Sequence, residues 1–208
     1  MKLPQLAALA LLAAVATTAS AASFTVDFEN TWAYGADVNG YYNGGSADDG
    51  SSGANLGVSF TGVTGLSNTA DFTYYAGAPS LQGVAYAHTS AATDMAFMNV
   101  AAGVGGGLSF SYSSPTAVLG AIKAYSGLNG TGTLLGAFDL AANTTGGYDN
   151  WTAVKFSFAG TAQSFDLTGS ANAVALDNIS AVPEPTSVLL VLAGGAALVG
   201  VSRRRRQD

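Results

Sequence analysis

Pro183-Glu184-Pro185 is the tripeptide whose residue types and spacing point to a chemical event on the chain itself. Proline fixes its own φ and disfavours helix in the residue before it, so the flanked glutamate is held extended. An uncharged Leu/Val/Ala-rich stretch follows at residues 187–202, and Arg203, Arg204, Arg205 and Arg206 close it. About sixteen apolar residues lie at the lower limit for crossing a bilayer as a helix. A basic cluster directly after such a segment stays in the cytoplasm. The tail therefore reads as a membrane stop that delivers an acidic tripeptide at the outer lipid boundary to a processing or anchoring step.

The other end agrees on topology. Lys2, an apolar run at residues 6–15 and the small residues Ala19-Ser20-Ala21-Ala22 form a secretory signal over residues 1–22, with the Sec translocon as partner. The mature chain is expected to start near Ser23. Residues 23–180 then form one ectodomain on the outer side, and residues 181–208 the tail. Eleven acidic residues and two lysines in residues 23–182 give a formal charge of −9, against −6 for the whole chain. Such a surface repels phosphate backbones, which excludes nucleic acid as a partner. The chain has no cysteine, so apolar burial or a metal must hold the domain together.

Catalytic chemistry is poorly supplied. His88 is the single histidine and no Gly-x-Ser-x-Gly turn is present, which leaves a hydrolytic triad without support. Zinc needs several His or Cys ligands. Gly103-Val104-Gly105-Gly106-Gly107 lacks the Lys-Ser/Thr of a phosphate loop and leads into a strand at Leu108. Asp37-Val38-Asn39 opens like a calcium loop, but Tyr41 stands at the fifth position and no glutamate closes it. A glycoside hydrolase needs a carboxylate pair; Glu29 is the one glutamate of the domain and the aspartates lie mostly in turns. Trp32, Tyr34, Tyr41, Tyr42 and Tyr148 lie in or beside predicted loops, as does Trp151. Exposed rings there can stack on sugar faces, and core packing is the competing fate, with Trp151 the stronger core candidate.

The elements that position these residues read as all-β. Phe24, Val26 and Phe28 alternate with Thr25, Asp27 and Glu29, the period of a half-buried strand. Further runs at 58–63, 72–75, 95–100, 108–112, 117–125, 134–140, 154–158, 165–168 and 173–179 are separated by Gly/Asn/Asp/Ser clusters. Short strands at this spacing predict a two-sheet jelly-roll or β-sandwich ectodomain, followed by a single short C-terminal transmembrane helix. Residues 85–93, short and rich in small residues, carry no clear period and are compatible with a loop. Residues 37–57 form the longest loop, and Asp48-Asp49-Gly50 within it reads as a turn. Residues 180–186 read as a linker.

The Pro-Glu-Pro tripeptide, apolar helix and arginine cluster, in that order at the terminus, resemble a PEP-CTERM sorting signal. Such signals occur on exported proteins of Gram-negative bacteria, many linked to exopolysaccharide or biofilm production. The resemblance implies an exosortase as partner, processing the chain at or near residues 183–185. Asp27-Phe28-Glu29, Tyr41-Tyr42-Asn43-Gly44-Gly45, Gly57-Val58-Ser59-Phe60, Tyr148-Asp149-Asn150-Trp151 and Ala175-Leu176-Asp177-Asn178-Ile179 resemble the jelly-roll ectodomains that precede such tags. That likeness implies a structural Ca²⁺ where first and last strands meet, at Glu29 and Asp177 with Asp27 as helper. The expectation is a non-enzymatic, structural or adhesive protein of the cell surface or matrix that engages extracellular polysaccharide. The alternative is a secreted glycan-active hydrolase or carbohydrate-binding module.

Overall fold

Phe24, Val26 and Phe28 are buried while Thr25, Asp27 and Glu29 are exposed, so the alternation at the start of the domain holds in the folded chain. The structure is a computed structural model that describes residues 23–68 and 75–182. The predicted signal segment, most of the run at 72–75, the Pro-Glu-Pro tripeptide, the apolar stretch and the arginine cluster lie outside the described residues. Only Thr25–Val26 (β1) joins a ladder at this end, because Phe28 turns the chain with a φ of 54°.

Eight further strands follow: Val58–Thr61 (β2), Val63–Ser67 (β3), Gly83–Ala87 (β4), Phe97–Ser113 (β5), Val118–Tyr125 (β6), Leu134–Leu140 (β7), Thr152–Asp166 (β8) and Ala175–Val182 (β9). Helix is confined, among the described residues, to three-residue 3-10 turns at Tyr41–Asn43, Leu128–Gly130 and Thr168–Ser170. None is long and apolar enough to cross a membrane.

The strands are joined by antiparallel pairing into one curled sheet in the order β3-β4-β9-β5-β8-β6-β7, with β1 beside β9 and β2 beside β5. Two separate sheets are expected from the strand spacing; the hydrogen bonding is instead continuous. The reason lies in β5 and β8, each of which fuses two runs that the sequence presents as separate. β2 pairs with the first part of β5, from Thr61↔Phe97 to Val58↔Val100, and β9 with its last part, from Gly107↔Val182 to Ser113↔Ala175. β6 reaches β8 at Ser164, Phe165 and Asp166. One end of the β5–β8 pair is thus flanked by β2, β6 and β7, and the other by β9, β4, β3 and β1.

The two halves pack face to face. Phe138 on β7 lies 6.0 Å from the ring of Phe110 on β5 and 5.3 Å from Phe156 on β8, although β7 is hydrogen-bonded to neither strand's far half. Phe156 continues through Phe158 to Phe165 at ring separations of 5.4 and 5.7 Å. Phe110, Phe156 and Phe165 are buried and Phe138 and Phe158 half-buried. Each fully buried phenylalanine supplies roughly 1.5–3 kcal/mol of transfer free energy, and with no disulfide, apolar burial of this kind holds the halves together.

The curl is made at the glycine run. The β5–β8 register shifts between Asn99/Val104 and between Gly105/Gly107, and bulges of this kind let a strand bend without leaving its partner. At Gly107, φ is 152° and a Cβ would stand 2.2 Å from the carbonyl oxygen of Phe156. Only glycine fits that approach. The run that breaks the hydrophobic pattern in the sequence is therefore a corner inside one strand.

Two other expectations change. β4 falls partly in the segment read as a loop; its Gly-Val-Ala-Tyr-Ala sequence is buried on both faces and shows no alternation to detect. β9 runs through Val182, so the predicted linker does not begin at residue 180. The long loop at 37–57 is structured: Val38, Tyr42 and Ala47 are buried, and Ala47 N–H donates to Ser51 O at 2.9 Å, with Gly50 N–H donating back to Ala47 O at 3.0 Å. Asp48-Asp49-Gly50 is the turn the sequence suggests.

Candidate functional site

The carboxylates of the domain serve mainly to fix turns. Asp49 accepts from the backbone N–H of Ser51 at 2.9 Å and of Ala33 at 3.1 Å, Asp94 from those of Ser90 and Ala91 at 2.8 Å each, and Asp139 from Gly120 N–H at 2.6 Å. Asp37, Asp48, Asp149 and Asp166 take Thr64, Asn39, Thr144 and Thr168 as donors. These bonds to the charged form hold the Asp49 and Asp94 carboxyls below their ordinary range.

Asp177 behaves differently. It sits on β9 with its side chain fully buried. Its Oδ2 accepts from Ser80 N–H at 2.7 Å and its Oδ1 from its neighbour Asn178 N–H at 2.7 Å. Glu29 holds the same segment from outside, accepting from Gln82 N–H at 3.1 and 3.2 Å. Burial pushes the Asp177 carboxyl up to about 6 against the lowering effect of its hydrogen bonds, with the negative charge of Glu29 adding to the rise. First and last strands thus bring two carboxylates onto one loop. Asn178 takes a left-handed φ of 49° beside them, and Gly83 next to the loop is required because a Cβ would stand 2.1 Å from Phe28 O.

The predicted calcium ligands divide on this geometry. Glu29 and Asp177 are neighbours, one of them buried, and the Asp177 carboxylate, bonded by Ser80 and Asn178, keeps acceptor capacity beyond these donors. Their chemistry fits a hard cation. Asp27 does not join them: its Oδ1 accepts from Tyr42 Oη–H at 3.3 Å and from Glu29 N–H at 3.3 Å. Among the described residues no group of three or more His, Cys, Asp or Glu side chains could hold a metal ion. Any such ion would take the rest of its shell from backbone oxygen and water.

The predicted sugar-stacking residues also divide. Trp32 is buried, with Nε1–H donating to Phe28 O at 2.9 Å and its ring 4.9 Å from Tyr41. Tyr42 is buried against Phe28 and Phe60, at 6.0 and 6.4 Å. Burial, and after it the Asp27 carboxylate, raise the Tyr42 hydroxyl above its usual range, so it stays a neutral donor. Both are core residues, which corrects the expectation of exposed rings. Tyr42→Phe removes one long hydrogen bond from this cluster. It is expected to cost about 1 kcal/mol, read as a lower urea midpoint with an unchanged slope.

Tyr34 and Tyr148 remain in a surface feature, a cleft of about 300 Å³ that they line with Leu66, Tyr75, Tyr86, His88 and residues 172–175. Tyr86 and His88 stand two apart at the end of β4, so both project to one face, with rings 6.0 Å apart and nearly perpendicular at 77°. Tyr34 is 97% exposed while Tyr75 is 1% exposed. Tyr148 Oη–H donates to Ala173 O at 3.3 Å. Tyr75 and Trp151 belong to a small second core with Val84, Ala175 and Leu66. The Tyr75 hydroxyl and Trp151 Nε1 are buried with no hydrogen-bond partner among the described residues. Tyr75, Tyr86 and His88 were not identifiable as a group in the sequence. The alternation of Tyr86 with His88 is the signal that pairs two of them.

The tail is placed by β9. Ala181 and Val182 pair with Leu108 and Gly107 of β5, Ser180 faces Thr25, and Ala181 N–H donates to Phe24 O at 3.2 Å. The start of the domain and its end leave the sheet side by side, and Pro183 is the first residue after a paired strand. Residues 181–206 match the PEP-CTERM protein-sorting motif. The chain carries the sorting signal of an exported, membrane-anchored precursor that an exosortase processes. Among curated proteins none matches the chain.

Proposed function

We propose that the mature ectodomain is a non-enzymatic, structural or adhesive component of the cell surface or matrix, associated with extracellular polysaccharide. The sorting motif at residues 181–206 is the observation that carries this reading. It directs the chain to a route of export on which a β-rich domain without disulfides would act outside the cell. The jelly-roll likeness and a Ca²⁺ held by Glu29 and Asp177 belong to the same proposal; bound there, the ion would offset their mutual repulsion.

Support for a binding role over a hydrolytic one comes from the carboxylates. Asp37, Asp48, Asp49, Asp94, Asp139, Asp149 and Asp166 are engaged in turn and loop hydrogen bonds, whereas a glycosidase needs two carboxyl groups about 5–9 Å apart and open to substrate. Incubation of the full chain with extracellular polysaccharide is expected to release no reducing ends while polysaccharide co-sediments with the protein. Reducing ends that appear with wild-type protein and vanish in a carboxylate variant would instead establish the hydrolase.

A further inference from the structure

We propose that the cleft between Tyr34, Tyr75, Tyr86, His88 and Tyr148 is a binding subsite for an uncharged hexopyranose unit of a polysaccharide, and this rests on the surface-component reading above. Four tyrosines from separate segments converge there: Tyr34 after β1, Tyr75 before β4, Tyr86 on β4 and Tyr148 before β8. Tyrosine offers an apolar face and a polar tip at low cost in side-chain freedom. A pyranose has the complementary character, with C–H faces and a hydroxyl rim.

Three observations select this ligand class. The cleft of about 300 Å³ stands at the small end of ligand sites, the size for one or two sugar rings and too small for a folded partner. Tyr75 lines the cleft with its hydroxyl buried and under the influence of Asp177, so it contributes an apolar wall to the cleft and not a polar tip, the surface that a C–H face of a pyranose packs against. Charge decides the rest: among the described residues no Lys or Arg lines the cleft, and Asp149 directly follows Tyr148 in a domain of formal charge −9. A uronate or phosphate would meet no counter-charge and a repelling field. Tyr34 lines the cleft while 97% exposed, so its ring is free to contact a bound sugar.

Binding of the full chain in detergent micelles to neutral glucan, mannan and galactan, with alginate as the anionic counterpart, tests this. At least one neutral polymer is expected to bind, with alginate weaker. Tyr34→Ala and Tyr148→Ala are each expected to weaken binding about tenfold, and Leu119→Ala, on exposed β6 surface, to leave it unchanged. Tyr34 is so exposed that its truncation leaves the fold intact, which an unchanged melting temperature verifies. Tight alginate binding overturns the ligand class. Neutral-polymer binding that survives Tyr34→Ala and Tyr148→Ala, or no binding to any neutral polymer, overturns the site. Sorting is read independently, by conversion of the precursor to its shorter form, so failure of the cleft proposal and failure of the surface-component reading are told apart by different assays.

Discussion

A chain in which Pro183, Glu184 and Pro185 are all replaced by alanine is expected to accumulate as full-length precursor in a host that has an exosortase, while the wild type is converted to a shorter form. The effect is all-or-none, because the tripeptide lies within the matched motif and follows directly on the folded domain. Alanine at all three positions would remove the fixed proline φ angles and the acidic side chain that distinguish the tripeptide. The fold should be untouched, since β9 ends at Val182. The same register predicts where the mature end lies. Ala181 and Val182 are paired to Leu108 and Gly107, and a protease that binds extended substrate cannot take paired residues without opening the sheet. Mass spectrometry of the processed form should therefore find a C-terminus at or beyond Val182. A terminus inside β9, or wild-type mobility for the alanine variant, would remove the sorting account.

The sequence exposes the parts of this molecule that have a period or an order, and conceals those made by convergence. Phe24, Val26 and Phe28 announce an inward face because burial repeats every second residue. β7 at Leu134–Leu140 coincides with the run read from the sequence. The tail is legible because apolar length, prolines and arginines act through local chemistry. β5 and β8 are not legible as single strands. Gly103–Gly107 looks like a break when only the chain is seen, and becomes a bend only when β8 supplies the pairing that bulges preserve. Trp32 and Tyr42 mislead for the same reason: loop position suggests exposure, but Phe28, Phe60 and Tyr41 close around them. Tyr75, Tyr86, His88 and Tyr148 span more than seventy positions and meet because Tyr86 of β4 and the start of β8, where the 141–151 loop arrives, lie at the same end of the sheet, joined through Ala175 of β9 and the end of β5. Long-range meeting of this sort leaves no mark in local pattern. Glu29 and Asp177, anticipated from likeness, lie against the same segment, and Asp27 is engaged instead by the Tyr42 hydroxyl and the Glu29 N–H.

In the presence of a chelator, the melting temperature of the protein is expected to fall as pH rises from about 4 to about 6.5, against the usual behaviour of native carboxylates. Asp177 is the cause. Its folded pKa of about 6 stands above the ordinary 3.8, so the native state holds the proton more tightly than the unfolded chain. Its contribution is complete below the unfolded value, is lost as pH rises through the folded value, and levels off above it. A displacement of this size, discounted for partial solvent screening, is on the order of 2 kcal/mol, or roughly 4–8 °C for a domain of this length. Asp49 and Asp94 have the opposite sign, but their carboxyls lie low, so their stabilisation is lost only below this window. Asp177→Asn should flatten the profile between pH 4 and 6.5. Calcium at millimolar concentration should act only on the charged form, raising the melting temperature at pH 7 and not at pH 4. Asp177→Ala should abolish that rise, while Asp27→Ala should preserve it, because Asp27 faces Tyr42. A flat profile in the wild type would show that the buried carboxyl is not protonated on folding. A calcium response that survives Asp177→Ala would place the ion elsewhere.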